Sequence, residues 1–217
     1  MTTHVKDITR LRGLGSIPID FSVLRSLYSE YASPANKIAQ LCKQGLLIRI
    51  QKDTYLVSEL ISGEHPNLHL IANHLYGPSY ISLESALQEH DMIPEAVYSV
   101  ESITLKRSKQ LSTQLGVFRY HHVPPEYYSI GLQTYRTKDD YSYLMASPEK
   151  ALCDHFVSTD RLQVRSRKAM LEYLVEFMRI EPENLATMDL DIVNEAASAG
   201  VKRQTLLYLR EALEWLG

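Results

Sequence analysis

The sequence predicts an α+β protein with a small N-terminal unit, a mixed sheet-and-helix region after it, and a helical C-terminal end. Three patterns support this prediction. A short capped helix is followed directly by two strand-like runs before residue 58, more strand-like runs occupy the middle of the chain, and apolar residues recur at helical spacing after residue 147. We therefore expect two domains, at residues 1–61 and 62–217.

Two helices are expected in the first 31 residues. The first lies around residues 5–14 and is limited by Gly13 and Gly15. The second begins after Asp20, whose carboxylate suits the capping of free N–H groups in a first helical turn. Its apolar side chains fall on one face: Phe21, Leu24, Leu27, Tyr28 and Tyr31. We expect this face to pack behind the next helix.

A third helix is predicted between Ser33 and Gly45. Ser33 is a good N-cap, and Pro34 suits the first helical position, where its missing N–H costs nothing. The apolar residues of this helix recur at helical spacing: Ile38, Leu41 and Cys42. Gly45 then supplies the left-handed conformation that ends many helices.

A hairpin is predicted directly after the third helix. Residues 46–50 and 54–57 read as strands, and the polar Gln51, Lys52 and Asp53 join them. A short helix followed at once by a basic-tipped hairpin is typical of the recognition helix and wing of a winged helix-turn-helix, a module that reads DNA. Residues 1–61 are therefore expected to bind double-stranded DNA.

The residue types in this segment suit that chemistry. Several polar residues are expected to lie away from the apolar stripe of the third helix, with Asn and Gln meeting base edges and Lys meeting phosphates. The DNA-binding candidates are Ser33, Asn36, Lys37, Gln40 and Lys43 on the helix, with Gln44 beside them, and Arg49 and Lys52 on the hairpin. The alternative is an ordinary amphipathic helix and hairpin with a solvated polar face.

A turn-rich stretch at residues 62–66 precedes the second predicted domain. Helices are expected at residues 67–75 and 82–88, and strands at 80–81, 97–105, 116–123, 128–136 and 141–145. The polar residues 106–113 read as the connection between two of these strands. From Ser147, a cap followed by Pro148, the chain is expected to be helical, with further helices near 165–179, 188–198 and 202–216.

Charge is distributed unevenly along the chain. Residues 1–60 carry 8 Lys and Arg against 5 Asp and Glu, a net charge of +3, whereas residues 61–217 carry 15 against 21, a net charge of −6. A basic end joined to an acidic body suits a DNA reader with a separate interaction domain. Within the second part, a second basic patch for a partner or nucleic acid is formed by Lys106, Arg107 and Lys109. We prefer it to a further basic cluster at residues 161–168. For both groups the alternative is ordinary solvated charge.

Composition predicts a cytoplasmic protein that needs no membrane. No apolar run approaches the roughly 18–20 residues that span a bilayer, and the N-terminus lacks the apolar core of an export signal. Cys42 and Cys153 have no C-x-x-C partner, so disulfide frameworks and zinc fingers are not expected.

No catalytic constellation is evident, and the chain is expected not to be an enzyme. His69 and His74 do not form a zinc-binding H-E-x-x-H motif, and no Gly-rich phosphate loop or nucleophile elbow occurs. The alternative is that Glu149, Lys150 and Asp154 form a nuclease-like set. The non-catalytic interpretation of the same residues is that they form the start of a structural helix. Neither a metal nor a cofactor is predicted.

Four segments carry a family resemblance. Residues 45–50, 80–87, 116–120 and 147–154 read GLLIRI, YISLESAL, GVFRY and SPEKALCD, with IPE at 93–95 and a threonine-basic strand at 102–107. In this order they resemble the wing and the following blocks of AbiEi-type antitoxins, over roughly residues 20–160. One departure is Asp53, where the family usually has a wing glycine; Asp tolerates a positive φ better than most residues.

The resemblance implies an antitoxin that represses its own promoter at inverted repeats and counteracts a nucleotidyltransferase-like toxin. Two winged domains, from a dimer or from cooperative monomers, would match such a repeat. Two alternatives stay open: a winged-helix regulator whose second domain senses a ligand without any toxin, and a nuclease-like enzyme.

Overall fold

The computed structural model describes residues 2–95, 97–160, 162 and 164–217. Within them the chain is mixed α and β with a helical C-terminal end, as the sequence predicts. The N-terminal elements are α1 (Thr2–Arg12), β1 (Ile19–Asp20), α2 (Phe21–Leu27), α3 (Pro34–Lys43), β2 (Leu47–Gln51), β3 (Thr54–Val57) and α4 (Glu59–Ser62). The expected boundary after residue 61 falls at the end of α4, and the division into two domains stays a prediction.

Two local signals at helix ends act as predicted. The Asp20 carboxylate accepts a hydrogen bond from the Ser22 N–H at 2.8 Å, which caps α2. Gly45 adopts a left-handed φ of +69° just beyond α3. Helix α2 ends one residue before Tyr28, so Tyr31 lies outside the helix whose apolar face was expected to include it.

The N-terminal sheet has three antiparallel strands in the order β1-β3-β2. Strand β1 was not predicted, because two residues are too short to show an alternating pattern. It places Ile19 opposite Tyr55, and the following N–H, that of Phe21, donates to the Asp53 carbonyl at 2.8 Å. The turn of the β2–β3 hairpin is therefore tied to the start of α2.

The remaining elements alternate strands with short helices and then become helical. They are α5 (Leu68–Leu75), β4 (Ser79–Ile81), α6 (Leu83–Glu89), β5 (Ser99–Thr104), β6 (Lys109–Thr113), β7 (Gly116–His122), α7 (Pro125–Tyr128), β8 (Leu132–Arg136), β9 (Ser142–Ala146), α8 (Pro148–Ser158), α9 (Arg167–Glu172), α10 (Pro182–Ala186), α11 (Leu190–Ser198) and α12 (Arg203–Leu216). A π-helical turn, Tyr173–Phe177, continues α9. Helix α10 was not predicted.

The larger sheet corrects two of the predicted elements. Its strand order is β6-β7-β5-β4-β9-β8, with β5–β7 and β4–β9 parallel and the other pairs antiparallel. The stretch expected to connect two strands contains an edge strand, β6, which is mostly exposed and so lacks an apolar pattern. The strand expected at residues 128–136 begins only at Leu132, because α7 occupies its first position.

Helix α8 lies at the centre of the second part of the chain. The Ser147 hydroxyl accepts from the Lys150 N–H at 3.3 Å, which confirms the predicted cap. Every residue from 150 to 156 is buried, so this helix is enclosed on all sides. It packs against α6, α11 and α12.

A buried ion pair sits inside that packing. Lys150 and Asp154 are both fully buried, with Nζ 3.0 Å from Oδ1. The ammonium also donates to the Tyr127 carbonyl at 3.0 Å, and the Ser82 hydroxyl donates to the second carboxylate oxygen at 2.6 Å. Burial lowers the pKa of Lys150, and the Asp154 charge opposes that effect. The pair joins α8 to α7 and to the start of α6.

Two hydrophobic cores meet at the β2–β3 hairpin. The small core is built from α1–α4 and includes Leu47, Tyr55 and Val57. The large core fills the space around α8 and the six-stranded sheet, and it includes Ile50 and Leu56 from the same hairpin. Alternate residues of the hairpin therefore point into different cores, as strand geometry requires.

Candidate nucleic-acid interface

Helix α3 has one buried face and one exposed polar face. Ile38 and Leu41 are buried in the small core. Asn36, Gln40 and Lys43 are exposed and follow one another at spacings of four and three, so they form a single stripe. We call these three residues the α3 polar face. Amide and ammonium groups in such a row suit base edges and phosphates in a major groove.

The structure contradicts the prediction that Lys37 is free to contact DNA. Its side chain is 8% exposed, and Nζ lies 2.6 Å from Oδ2 of Asp7, which is 4% exposed. The ammonium also lies 5.0 Å from the centroid of the Tyr31 ring. The reason is spacing, because Lys37 is four residues before Leu41 and so shares the buried face. Lys37 instead fastens α3 to α1.

The electrostatics of this pair favour its charged form. Burial is the largest single effect and lowers the pKa of Lys37, but the hydrogen bond to Asp7, the Asp7 charge and Tyr31 together outweigh it, and the net pKa is raised. The ammonium is thus held in place by a carboxylate from α1. The sequence gives no local sign of Asp7 as the partner, since the two residues are 30 positions apart.

Ser33 occupies the N-cap position of α3 without capping through its side chain. Its backbone is extended, with φ −139° and ψ 90°, and its hydroxyl makes no cap hydrogen bond. The expected side-chain cap is therefore absent, and the Ser33 carbonyl instead accepts from the Lys37 N–H at 3.2 Å. Ser33 is exposed at the end of the helix, and its predicted contact with DNA stays a prediction.

The β2–β3 hairpin presents both of its predicted cations to solvent. Arg49 is exposed on β2 opposite Tyr55, and Lys52 is exposed in the turn. Asp53 has a φ of +60°, the left-handed conformation that a glycine would otherwise supply. The turn therefore forms with Asp in this position.

The second basic patch lies beside the same hairpin. Lys106, Arg107 and Lys109 are exposed, and the two lysine ammonium groups each lie 5.1 Å from the centroid of the Tyr76 ring. Residue 75, the neighbour of that tyrosine, offers its carbonyl to the Gln51 side-chain amide at 3.3 Å. The end of α5 thus contacts both the hairpin and the basic patch.

The nuclease-like set is not an accessible site. Lys150 and Asp154 are fully buried and paired with each other, with Tyr127 bonded to the ammonium and Ser82 to the carboxylate, whereas Glu149 accepts from the Asp189 N–H at 3.2 Å. A structural role for these residues, which the sequence offered as one alternative, fits this geometry. Among the described residues, no group of three His, Cys, Asp or Glu is arranged to hold a metal ion.

Neither cysteine is set up as a nucleophile. Both Cys42 and Cys153 are free thiols, and burial raises the pKa of each. A raised pKa keeps the sulfur protonated and unreactive. In the described part of the chain, no helix is both long and apolar enough to cross a bilayer.

Comparisons with protein-family models and with curated proteins find no match for this chain. Functional inference therefore depends on the positions and chemistry of the residues described above.

We predict that replacing Lys37 with Met destabilises the protein, because Asp7 is left buried without its partner. The expected loss is about 2 kcal/mol, below the ~3–5 kcal/mol of deeply buried pairs, since this pair lies in a small unit near the surface. Urea unfolding followed by circular dichroism measures the change.

Lys43→Met is the matched control, because Lys43 is exposed on the same helix and its loss should shift stability by no more than about 0.5 kcal/mol. The double variant D7L/K37M should recover part of the stability. Equal stability of the K37M protein and the wild type would show that the ion pair does not hold α3 in place.

Proposed function

We propose that this chain is a DNA-binding repressor of its own operon and the antitoxin that opposes a nucleotidyltransferase-like toxin. In this proposal residues 1–61 act as a winged helix-turn-helix, with α3 as the recognition helix and the β2–β3 hairpin as the wing. The observation that carries it is an exposed polar stripe on a short helix beside a hairpin with an exposed lysine at its turn.

The proposed contacts divide by chemistry. Asn36 and Gln40 would read base edges in the major groove, because their amides both donate and accept. Lys43 and the Ser33 hydroxyl would contact phosphates at the two ends of α3. Arg49 and Lys52 would hold the wing on the backbone. Lys37 has no place in this set, since its ammonium is committed to Asp7.

The second basic patch extends the proposed DNA surface. Lys106, Arg107 and Lys109 adjoin the end of α5 that the hairpin contacts through Gln51. In the proposal, a duplex that meets the wing continues towards this patch. The acidic remainder of the chain limits non-specific attraction, so these few local cations would dominate the salt dependence of binding.

The antitoxin half of the proposal depends on the family resemblance. Two of the resembling segments, residues 80–87 and 147–154, contact each other through Ser82 and Asp154 in the large core. Because these segments lie in the core, they support a likeness of fold. Residues that contact a toxin would lie elsewhere, on the surface. The partner is therefore a matter for a genetic test.

We predict distinct effects for two classes of DNA-contacting variant. K43A and K52A should each weaken binding to all duplexes and lower the slope of log K against log salt by about 0.9, because one phosphate contact is lost. Q40A should instead relax the preference for one base pair, by about 1–3 kcal/mol. Fluorescence anisotropy with the DNA upstream of the gene, and with a shuffled duplex, separates the two.

K138A is the control, since Lys138 is an exposed cation in the turn between β8 and β9. The slope of log K against log salt for K138A should match that of the wild type. If the wild-type chain binds the upstream and shuffled duplexes equally, or if K43A and K52A keep the full slope, α3 and its hairpin are not the DNA-binding surface.

A second prediction concerns the toxin. Expression of the neighbouring gene, if it encodes a nucleotidyltransferase, should arrest growth, and co-expression of this full chain from an unrelated promoter should restore it. The doubly substituted chain Q40A/K52A should also restore growth, because DNA recognition and neutralisation use different surfaces. Continued arrest despite wild-type chain in the cell would contradict the antitoxin role and leave the repressor role standing.

A further inference from the structure

A pocket of about 510 Å³ opens in the second part of the chain, apart from the proposed DNA surface. Its volume falls within the ~300–1,000 Å³ usual for small-molecule sites. None of its lining residues belongs to α1–α4 or to the β2–β3 hairpin. The polar and aromatic lining is formed by Glu84, Glu95, Ser99, Glu101, Arg119, His155 and Phe177.

One carboxylate of the pocket is held in place by a short relay. Oε1 of Glu84 lies 2.8 Å from Nδ1 of His155, and Nε2 of the same imidazole lies 2.9 Å from the Tyr173 hydroxyl. Burial is the largest single effect and raises the pKa of Glu84, but the hydrogen bond and charge interaction with His155 and a backbone hydrogen bond together outweigh it, and the net pKa is lowered. Among the described residues, no hydrogen bond reaches Oε2 of Glu84, so one oxygen of an oriented carboxylate stays open to a ligand.

The two other carboxylates already have cationic partners. Glu101 accepts from the Arg119 guanidinium at 3.0 Å and contacts the His121 ring at 2.8 Å, so both of its oxygens are occupied. Glu95 pairs with Arg179. The hydrogen bond from Arg179 lowers the pKa of Glu95. Burial raises the pKa of Glu101, but its hydrogen bonds together outweigh that effect and the net pKa is lowered. Two guanidinium groups, Arg119 in the lining and Arg179 beside it, therefore stand against three carboxylates, and the charge left without a guanidinium partner is that of Glu84. This remaining negative charge favours a positively charged occupant.

An apolar wall faces these charges. It consists of Ile93, Val97, Phe177 and Met178. The Phe177 ring is 71% exposed and stacks on Tyr173, with centroids 4.9 Å apart. An exposed aromatic face attracts both hydrocarbon and a cation placed above it. Phe177 ends the π-helical turn and Met178 follows it directly; such turns often accompany functional sites.

We propose that this pocket binds a small organic amine, with its ammonium group on Glu84 and its hydrocarbon body against Phe177. The pairing follows from an open oxygen on a fixed carboxylate, a net negative lining and an exposed aromatic wall in one cavity. The site stands independently of the proposed DNA binding. It gives the second part of the chain a ligand of its own.

The test is binding of 2-phenylethylamine to the full chain, measured by isothermal titration calorimetry and by NMR shifts. 2-Phenylethanol, L-phenylalanine and 3-phenylpropanoate serve as the neutral, zwitterionic and anionic counterparts. The amine should bind most tightly of the four compounds. E84Q should weaken the affinity for the amine by about tenfold or more, because a charge-assisted hydrogen bond is lost. E89Q, on the exposed side of the same helix, should leave its affinity unchanged.

A second variant covers the case in which E84Q does not fold. F177A removes an exposed ring and should weaken the amine several-fold while leaving the unfolding temperature unchanged. Equal or tighter binding of 2-phenylethanol, L-phenylalanine or 3-phenylpropanoate would overturn the proposal, as would amine-induced shifts outside the pocket. Wild-type affinity in either folded E84Q or F177A would do the same.

Discussion

The structure depends on a hairpin whose two faces are buried in different cores. An isolated two-stranded hairpin is marginally stable in water. Here Leu47, Tyr55 and Val57 enter the small core, whereas Ile50 and Leu56 enter the large one. A register slip of one residue would exchange these sets and spoil both cores at once, so the register is strongly fixed. The direction in which the turn projects is fixed with it.

The exposed surface of the N-terminal unit follows from what is buried behind it. The ion pair between Lys37 and Asp7 fastens α3 to α1, and the apolar side chains of α3 complete the small core. Those contacts leave the side chains of Asn36, Gln40 and Lys43 on the exposed side of α3. A surface held in this way needs little reordering to meet a rigid partner, which lowers the entropic cost of binding. This feature is compatible with the DNA-reading role that we propose for the unit.

Sequence reasoning succeeded where the signal was local. Asp20 and the Ser147–Pro148 pair predict helix starts and Gly45 predicts a helix end, and the structure has a helix boundary at each of them. It failed where the determining contact was distant. Strand β6 is an exposed edge without an apolar pattern, and the parallel pairing of β5 with β7 depends on the order of strands in the sheet.

The two candidate sites show the same contrast between local signals and long-range contacts. The α3 polar face was foreseen from spacing, but Lys37 was assigned to it although its position four residues before Leu41 marks the buried face. The pocket could not be foreseen, because Glu84, Glu101 and His155 come from three separate segments and form no motif. Long-range packing alone brings them together.

Native-state hydrogen exchange of the full chain in increasing urea tests most directly whether the hairpin unites the two cores. If it does, the amides of β3 and of β7 will exchange through one global opening, with the same free energy and the same urea dependence. A lower opening free energy for β3, shared with α1–α3 and separate from that of β7, would contradict this account.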